Sequence, residues 1–298
     1  MTTMWKSAAG LIAGLFAAGA LTVANAAIAR PGMVNYVEGN VTLNGQVLGR
    51  NAIGSAEAGP GQVLETGAGK AEMLLTPGAF LRIGDNSAVK MITPSLLDTE
   101  VELQRGQANV EVDQIEKGNR LEIVTSGITT TLEKNGVYQF DANPARLEVY
   151  DGEAVVRIGD RNIEVKKGKE LPLIASADNP KPRSFDRNAT GDLYAWSRLR
   201  SEYDAQASQA SAQTIFVNNM GWYGSGWYWN PWFDGWAFVP AYGYGLYGPF
   251  GFGFYGPGYF AYGRPFYGGY GYQGGGFVGS RGAFAGGFGG GFHGGGHR

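Results

Sequence analysis

Carboxylates are the most plentiful reactive groups in this chain. Glu100, Glu102, Glu111, Asp113 and Glu116 fall within one short stretch, and two well-placed carboxyls are all that glycoside hydrolysis requires. Their pattern argues against that use. Glu100, Glu102, Asn109 and Glu111 alternate with apolar residues, which assigns them to the solvated faces of strands, where solubility alone would put them. The chain has two histidines, His293 and His297, both close to its C-terminus. No Ser-His pair or zinc-bound hydrolytic site can therefore be assembled on the preceding sequence. No cysteine is present, which removes a thiol nucleophile and any disulfide. Gly243–Gly248 and Gly251–Gly256 spell G-x-G-x-x-G, but neither follows a strand pattern and opens a helix, as a dinucleotide site requires. The expectation is a non-enzymatic protein with no catalytic residues, no cofactor and no metal.

What remains for recognition is aromatic surface. Trp222, Trp227, Trp229, Trp232 and Trp236 are five of the seven tryptophans, and their planes can stack on sugar rings or on other aromatics. These five are the candidate binding surface. The alternative is that the rings fold back onto the rest of the chain.

The elements that would carry such residues are mostly strands. Asn44-Gly45 separates two apolar-bearing arms, Val41–Leu43 and Gln46–Leu48, and tolerates the positive φ of a two-residue hairpin turn. Glu100–Gln104 and Gln107–Val112 alternate strictly, with Arg105-Gly106 as the turn expected between them and one wet face on each. Arg146–Tyr150, Glu153–Ile158 and Asn162–Val165 repeat the pattern across Asp151-Gly152 and Gly159-Asp160, predicting a three-stranded meander. From Val34 onward about a dozen short, mainly antiparallel strands follow at roughly 8–12-residue spacing, an all-β module that periodicity leaves open as sandwich, roll or short solenoid. Past Asp178–Pro182 the period changes. Leu193, Trp196, Leu199 and Tyr203 recur at helical spacing and predict one amphipathic helix. Beyond it the chain is dominated by Gly, Tyr, Phe and Trp with four charged side chains. Such a composition gains little burial against the backbone entropy of glycine and predicts a largely disordered tail prone to weak association.

The N-terminus carries Lys6, an apolar run from Ala8 to Val23 and Ala24-Asn25-Ala26. This is the layout of a secretory signal peptide cleaved before Ala27; an uncleaved membrane anchor is the alternative. No later segment is apolar for long enough to span a bilayer, so no transmembrane span is expected after cleavage. The formal net charge is −2. Lys6 contributes +1 and residues 214–298 contribute +2, which leaves −5 on residues 7–213. A mildly acidic body offers no footprint for nucleic acid.

Several segments together resemble the FecR domain: Tyr36–Val41 (YVEGNV), Gly61–Gly67 (GQVLETG) with its following strands around Pro77-Gly78 and Asp85-Asn86, Leu103–Val110 (LQRGQANV), Leu147–Val156 (LEVYDGEAVV) and Val165–Leu171 (VKKGKEL). The resemblance spans about residues 34–172 and implies an extracytoplasmic sensing or interaction module. Where many members have Gly-Thr-x-Phe-x-Val, this chain has Asn135–Phe140 (NGVYQF), so a role tied to that Gly-Thr pair is not implied. Well-known members join the domain to a cytoplasmic anti-sigma segment. Only six residues precede the apolar run here, so the implied activity is that of the module and not sigma regulation. The expected organisation is a signal peptide (1–26), a FecR-like β domain (31–175), a linker (176–184), a helical segment (185–213) and a low-complexity tail (214–298). The expected function is a periplasmic or secreted, envelope-associated binding or sensing module whose partner is an envelope protein or polysaccharide. Its alternative is a structural surface or matrix protein whose tail self-associates.

Overall fold

The computed structural model describes residues 29–176 and 180–262. The expected leader and the two histidines lie outside them. Fifteen strands form one sheet. β1 (Val34–Leu43) turns through Asn44 and Gly45, both at positive φ, into β2 (Gln46–Val47), the hairpin that this dipeptide favours. β3 (Val63–Leu74) is the pivot. Its first residues, Val63–Glu65, pair with β5 (Ala88–Pro94), and its last, Ala71–Leu74, pair with β4 (Ala79–Ile83). β1 runs antiparallel along β3, with a register shift at Gly39–Val41 opposite Thr66–Gly69.

Two runs of strands leave β3. One continues from β5 through β6 (Asp98–Arg105), β8 (Arg120–Thr125) and β9 (Ile128–Leu132) to β12 (Glu153–Ile158) and β13 (Arg161–Lys166). The other continues from β4 through β7 (Gln107–Val112), β10 (Gly136–Ala142) and β11 (Ala145–Asp151) to β14 (Lys169–Pro172) and β15 (Arg183–Ser184). Pairing is antiparallel except between β6 and β8. Leu64, Val89, Val101, Ile123 and Val156 of the first run share one core with Met73, Leu81, Val110, Phe140 and Val149 of the second, so the sheet is folded over on itself. The expected all-β module of short, mainly antiparallel strands is present, and it is a folded-over sheet.

Two of the expected hairpins are not hairpins. β6 pairs with β5 and β8 while β7 pairs with β4 and β10; likewise β11 pairs with β10 and β14 while β12 pairs with β9 and β13. Arg105-Gly106 and Asp151-Gly152 are corners where the chain crosses from one run to the other. Only the β12–β13 arm of the expected meander is paired as foreseen. Gly106 and Gly152 take φ of +77° and +94°, a region that strains any residue with a Cβ. A side chain at 106 would collide with Ser87 Oγ, and one at 152 with the Tyr138 hydroxyl.

At β4 and β7 the second run is buried on both faces, contrary to the expected wet face. Every residue of β4 is buried, and so are Asn109 and Glu111 of β7. Their cover is α1 (Asp192–Val217) with the hairpins β16 (Gly226–Asn230) to β17 (Gly235–Val239) and β18 (Gly245–Tyr247) to β19 (Gly253–Tyr255). In the first run Glu100 and Glu102 keep the half-open positions expected of them.

α1 begins and ends later than the expected helical segment, and its stripe is different. Leu199 and Tyr203 are exposed, and Trp196 leans out to Tyr36 and to Glu38. The buried face is instead Leu193, Ser197, Ser201, Asp204, Ser208, Ser211, Ala212 and Ile215, small side chains that let the helix backbone approach the sheet closely. Disorder is not what residues 218–262 show. Trp227, Trp236, Phe238 and Phe254 join Leu74 and Phe80 in a second core, and Val239 packs on Ala212 and Ile215 in a third. The reading in which the rings fold back onto the body is the one realised here, because cross-strand aromatic pairs recover the burial that a Gly-rich chain lacks. Residues 263–298 of the expected tail lie outside the described residues. The glycines of both G-x-G-x-x-G matches sit in and around the β18–β19 hairpin, not at a strand-to-helix turn.

Gly152→Val is expected to lower stability by about 3 kcal/mol or more, since backbone strain at such a φ costs roughly 1–3 kcal/mol and the clash with Tyr138 adds to it. Urea denaturation read by tryptophan fluorescence checks this, and an unchanged midpoint contradicts it. A chain ended after Gln213 is expected to lose cooperative unfolding, because Phe80 and Leu74 lose their cover.

Candidate functional site

The face of the second run carries a row of polar residues in register: Glu72 of β3 lies opposite Arg82 of β4, Arg82 opposite Asn109 of β7, Asn109 opposite Gln139 of β10, and Gln139 opposite Glu148 of β11. Arg82 is fully buried, and each guanidinium nitrogen engages a different carboxylate. Nε donates to Glu72 at 2.7 Å, Nη1 to Glu111 at 2.5 Å and Nη2 to Asp204 of α1 at 2.8 Å. Arg200, one helical turn before Asp204, bridges Glu72 and Asp204 at 3.0 Å each. Ser201 donates to the free oxygen of Glu111 at 2.6 Å. Asn35 of β1 donates to Glu72 at 2.9 Å and to the Trp236 carbonyl, and accepts from the Trp236 amide at 2.7 Å. One network thereby joins β1, β3, β4 and β7 with the helix and the first aromatic hairpin.

Protonation in this layer is set by burial against pairing. Burial disfavours a charge on Glu72, but Arg200 and Arg82 outweigh it and hold that carboxyl well below its usual range. Burial, with Glu72 and Glu111 adding to it, pushes Asp204 up to about 8 in spite of both arginines. Asp113, just past β7, is buried with neither oxygen hydrogen-bonded and is raised by burial and by Glu111 beside it. Gly248 lies against its carboxyl so closely that a side chain there would overlap Oδ1. The carboxylates Glu111 and Asp113 are therefore structural groups enclosed by the cap, not a solvent-facing hydrolytic pair.

The five tryptophans are only partly gathered. Trp227 stands edge-on to Phe80 at 5.2 Å and to Phe238 at 6.1 Å, and Trp229 edge-on to Trp236 at 5.5 Å. Trp236 is buried and reaches the Gly54 carbonyl; the Trp229 ring covers Gly54, where no Cβ would fit. Trp222 donates to the Pro240 carbonyl at 3.0 Å and faces Tyr228. Trp232, in the β16–β17 turn, is 90% exposed. The half-buried faces of Trp227, Tyr228 and Trp229, with Trp236, Met220, Leu96 and Pro77, line a cleft of about 620 Å³, within the size range of ligand pockets. Among the described residues no group of three or more His, Cys, Asp or Glu is placed to hold a metal.

Sequence reasoning missed Glu72, Arg82, Arg200 and Asp204. A signal was present: Arg82 interrupts an otherwise apolar strand, Ala79–Ile83, and Ser197, Ser201, Asp204, Ser208 and Ser211 recur on one helix face.

Arg82→Met is expected to cost about 3–5 kcal/mol, as when one partner of a buried ion network is removed. Stability should also depend on pH in a particular sense. Between its ordinary value of 3.8 and about 8, Asp204 holds a proton in the folded state that the unfolded chain lacks. Stability therefore falls as pH rises through that window and levels off above it. Glu72 acts oppositely, its contribution being lost as pH falls below its ordinary 4.5. Urea midpoints should peak near pH 4–5, and Asp204→Asn should flatten the decline toward pH 8.

Residues 62–155 match the family model described as FecR protein. The match begins at β3 and ends within β12; β1, β2 and β13–β15 complete the same sheet around it. No curated protein matches the chain. Two crystal structures of a candidate anti-sigma factor from Parabacteroides distasonis ATCC 8503, at 2.50 Å and 1.65 Å, are similar at 12% and 11% identity, each with a TM-score of 0.38. The similarity covers 46% of this chain and 64% of theirs. The matched segment forms the heart of the folded-over sheet, which is thereby a FecR-like module within this chain.

Proposed function

We propose that this chain is a non-enzymatic, extracytoplasmic binding module of the bacterial cell envelope. Its FecR sheet is the rigid base, and its aromatic hairpin holds a polysaccharide. The observation that carries this reading is the cleft beside β16–β17, where the faces of Trp227, Tyr228 and Trp229 stay partly open although the same rings are edge-packed from behind. Open aromatic faces on a rigid support suit the apolar face of a sugar ring. An exported location is supported by the leader-like run from Ala8 to Val23, and no helix among the described residues is long and apolar enough to cross a membrane. Enclosure of Glu111 and Asp113 under the cap supports a binding role over a hydrolytic one. The exposed rings of Tyr223, Tyr244 and Tyr247 favour a second reading, self-association in a surface matrix.

The intact chain is expected to co-sediment with insoluble envelope polysaccharide. Tyr228→Ala should weaken this by about fivefold, at roughly 1 kcal/mol for one stacked ring. Raising the salt to half molar should change little, because stacking is not screened. Concentration-dependent sedimentation of the protein alone, with no polysaccharide bound, would favour the matrix reading.

A further inference from the structure

A second pocket, of about 350 Å³, opens between β1, the middle of α1 and the β16–β17 turn, with Trp236 lining both it and the aromatic cleft. Its chemistry differs from that of the cleft. Polar groups of Arg200 and Asp204 line it, joined to each other at 3.0 Å. The Arg200 guanidinium carbon lies over Tyr36, 4.3 Å from the ring centre. Around these groups stand Tyr203, Trp232 and Phe233, all exposed, with Trp232 the most open aromatic ring of the pocket.

We infer that this pocket is a subsite for one neutral, hydroxyl-rich pyranose ring, a reading that rests on the polysaccharide-binding function proposed above. Three observations carry it. First, Arg200 and Asp204 present donors and an acceptor side by side, and the two arginines Arg82 and Arg200 are both engaged by the buried carboxyls around them, so the pocket offers no unopposed charge. An ionised ligand would find no unpaired counter-charge there, whereas adjacent hydroxyls can accept from Arg200 and bond to Asp204. Second, Arg200 Nε is buried without a hydrogen-bond partner, so the guanidinium beside the pocket keeps a donor unspent, a costly state in a packed interior. Third, no packing explains Trp232. Its amide is fixed at 3.0 Å by Asn230 Oδ1, and Asn230 is itself anchored to Ala207 and Ser211 of α1. An exposed ring is thus held on a rigid turn at the pocket mouth, which is the arrangement a stacking platform needs.

The test is isothermal titration of the intact protein with a neutral β-1,4-glucan hexasaccharide and a neutral N-acetylglucosamine hexasaccharide, against polygalacturonate and a chitosan oligomer. The proposal expects at least one neutral probe to bind and both charged probes to bind about tenfold more weakly or not at all. Trp232→Ala, which removes an exposed side chain and leaves the fold intact, should weaken the neutral probe about tenfold. Arg200→Lys, which keeps the charge but loses the fork, should do the same if the helix signal shows that it folds; Trp232→Ala decides the matter otherwise. Tyr228→Ala, in the cleft, should weaken the hexasaccharide no more than Trp232→Ala does. If the neutral probe binds and Tyr228→Ala abolishes it while Trp232→Ala does not, the subsite is wrong and the polysaccharide reading stands. If a charged probe binds better, the neutral subsite is wrong and the polysaccharide reading stands; if no probe binds the wild-type chain, both fall.

Discussion

The architecture depends on a single buried cation. Arg82 sits in the middle of a strand with no solvent contact, and its three nitrogens reach three carboxylates contributed by β3, β7 and α1. Such an arrangement contributes little net stability relative to a well-packed apolar core, since desolvation offsets much of the attraction. Its effect is geometric. A planar fork satisfied on all sides fixes where α1 lies on the sheet and in which register, which greasy side chains alone would specify loosely.

The rest of the cap follows from that placement. Because the helix meets the sheet through serine, alanine and Asp204, it can lie close to β4 and β7, and the apolar burial is displaced to its flanks. There Leu74 and Phe80 meet Trp227, Phe238 and Phe254. Asn35 ties the edge of this aromatic hairpin to the same Glu72 that holds Arg82. The polar centre sets position and the aromatic flanks supply the hydrophobic gain, a division of labour that leaves the outer ring faces free to line a cleft and a pocket.

Local chemistry was legible wherever it was self-contained. Asn44-Gly45 made its turn, the alternation in β6 gave one wet face, and the composition gave a mostly β fold with a helix after it. Pairing partners were less legible. Arg105-Gly106 and Asp151-Gly152 look like tight hairpin turns because the φ requirement is the same for a hairpin and for a corner that changes layers. Nor could alternation reveal that Asn109 and Glu111 are covered, since a polar residue facing a polar cap reads like one facing water. The aromatic segment was misjudged for a related reason. Within the tail alone there is little to bury against, and its partners, Leu74, Phe80 and Gly54, lie far earlier in the chain.

The corners at Gly106 and Gly152 have a kinetic consequence. The chain alternates between the two runs of strands from β4 to β15, so neither half of the sheet is contiguous in sequence, and neither can form a complete core before the other. Folding must close long loops early, which marks a slow, high-contact-order topology. The same lacing means that no edge can peel away as an independent unit, so local opening is confined to the outermost strands and the cap. Without cysteines, resistance to proteolysis is a property of the route by which the chain is threaded.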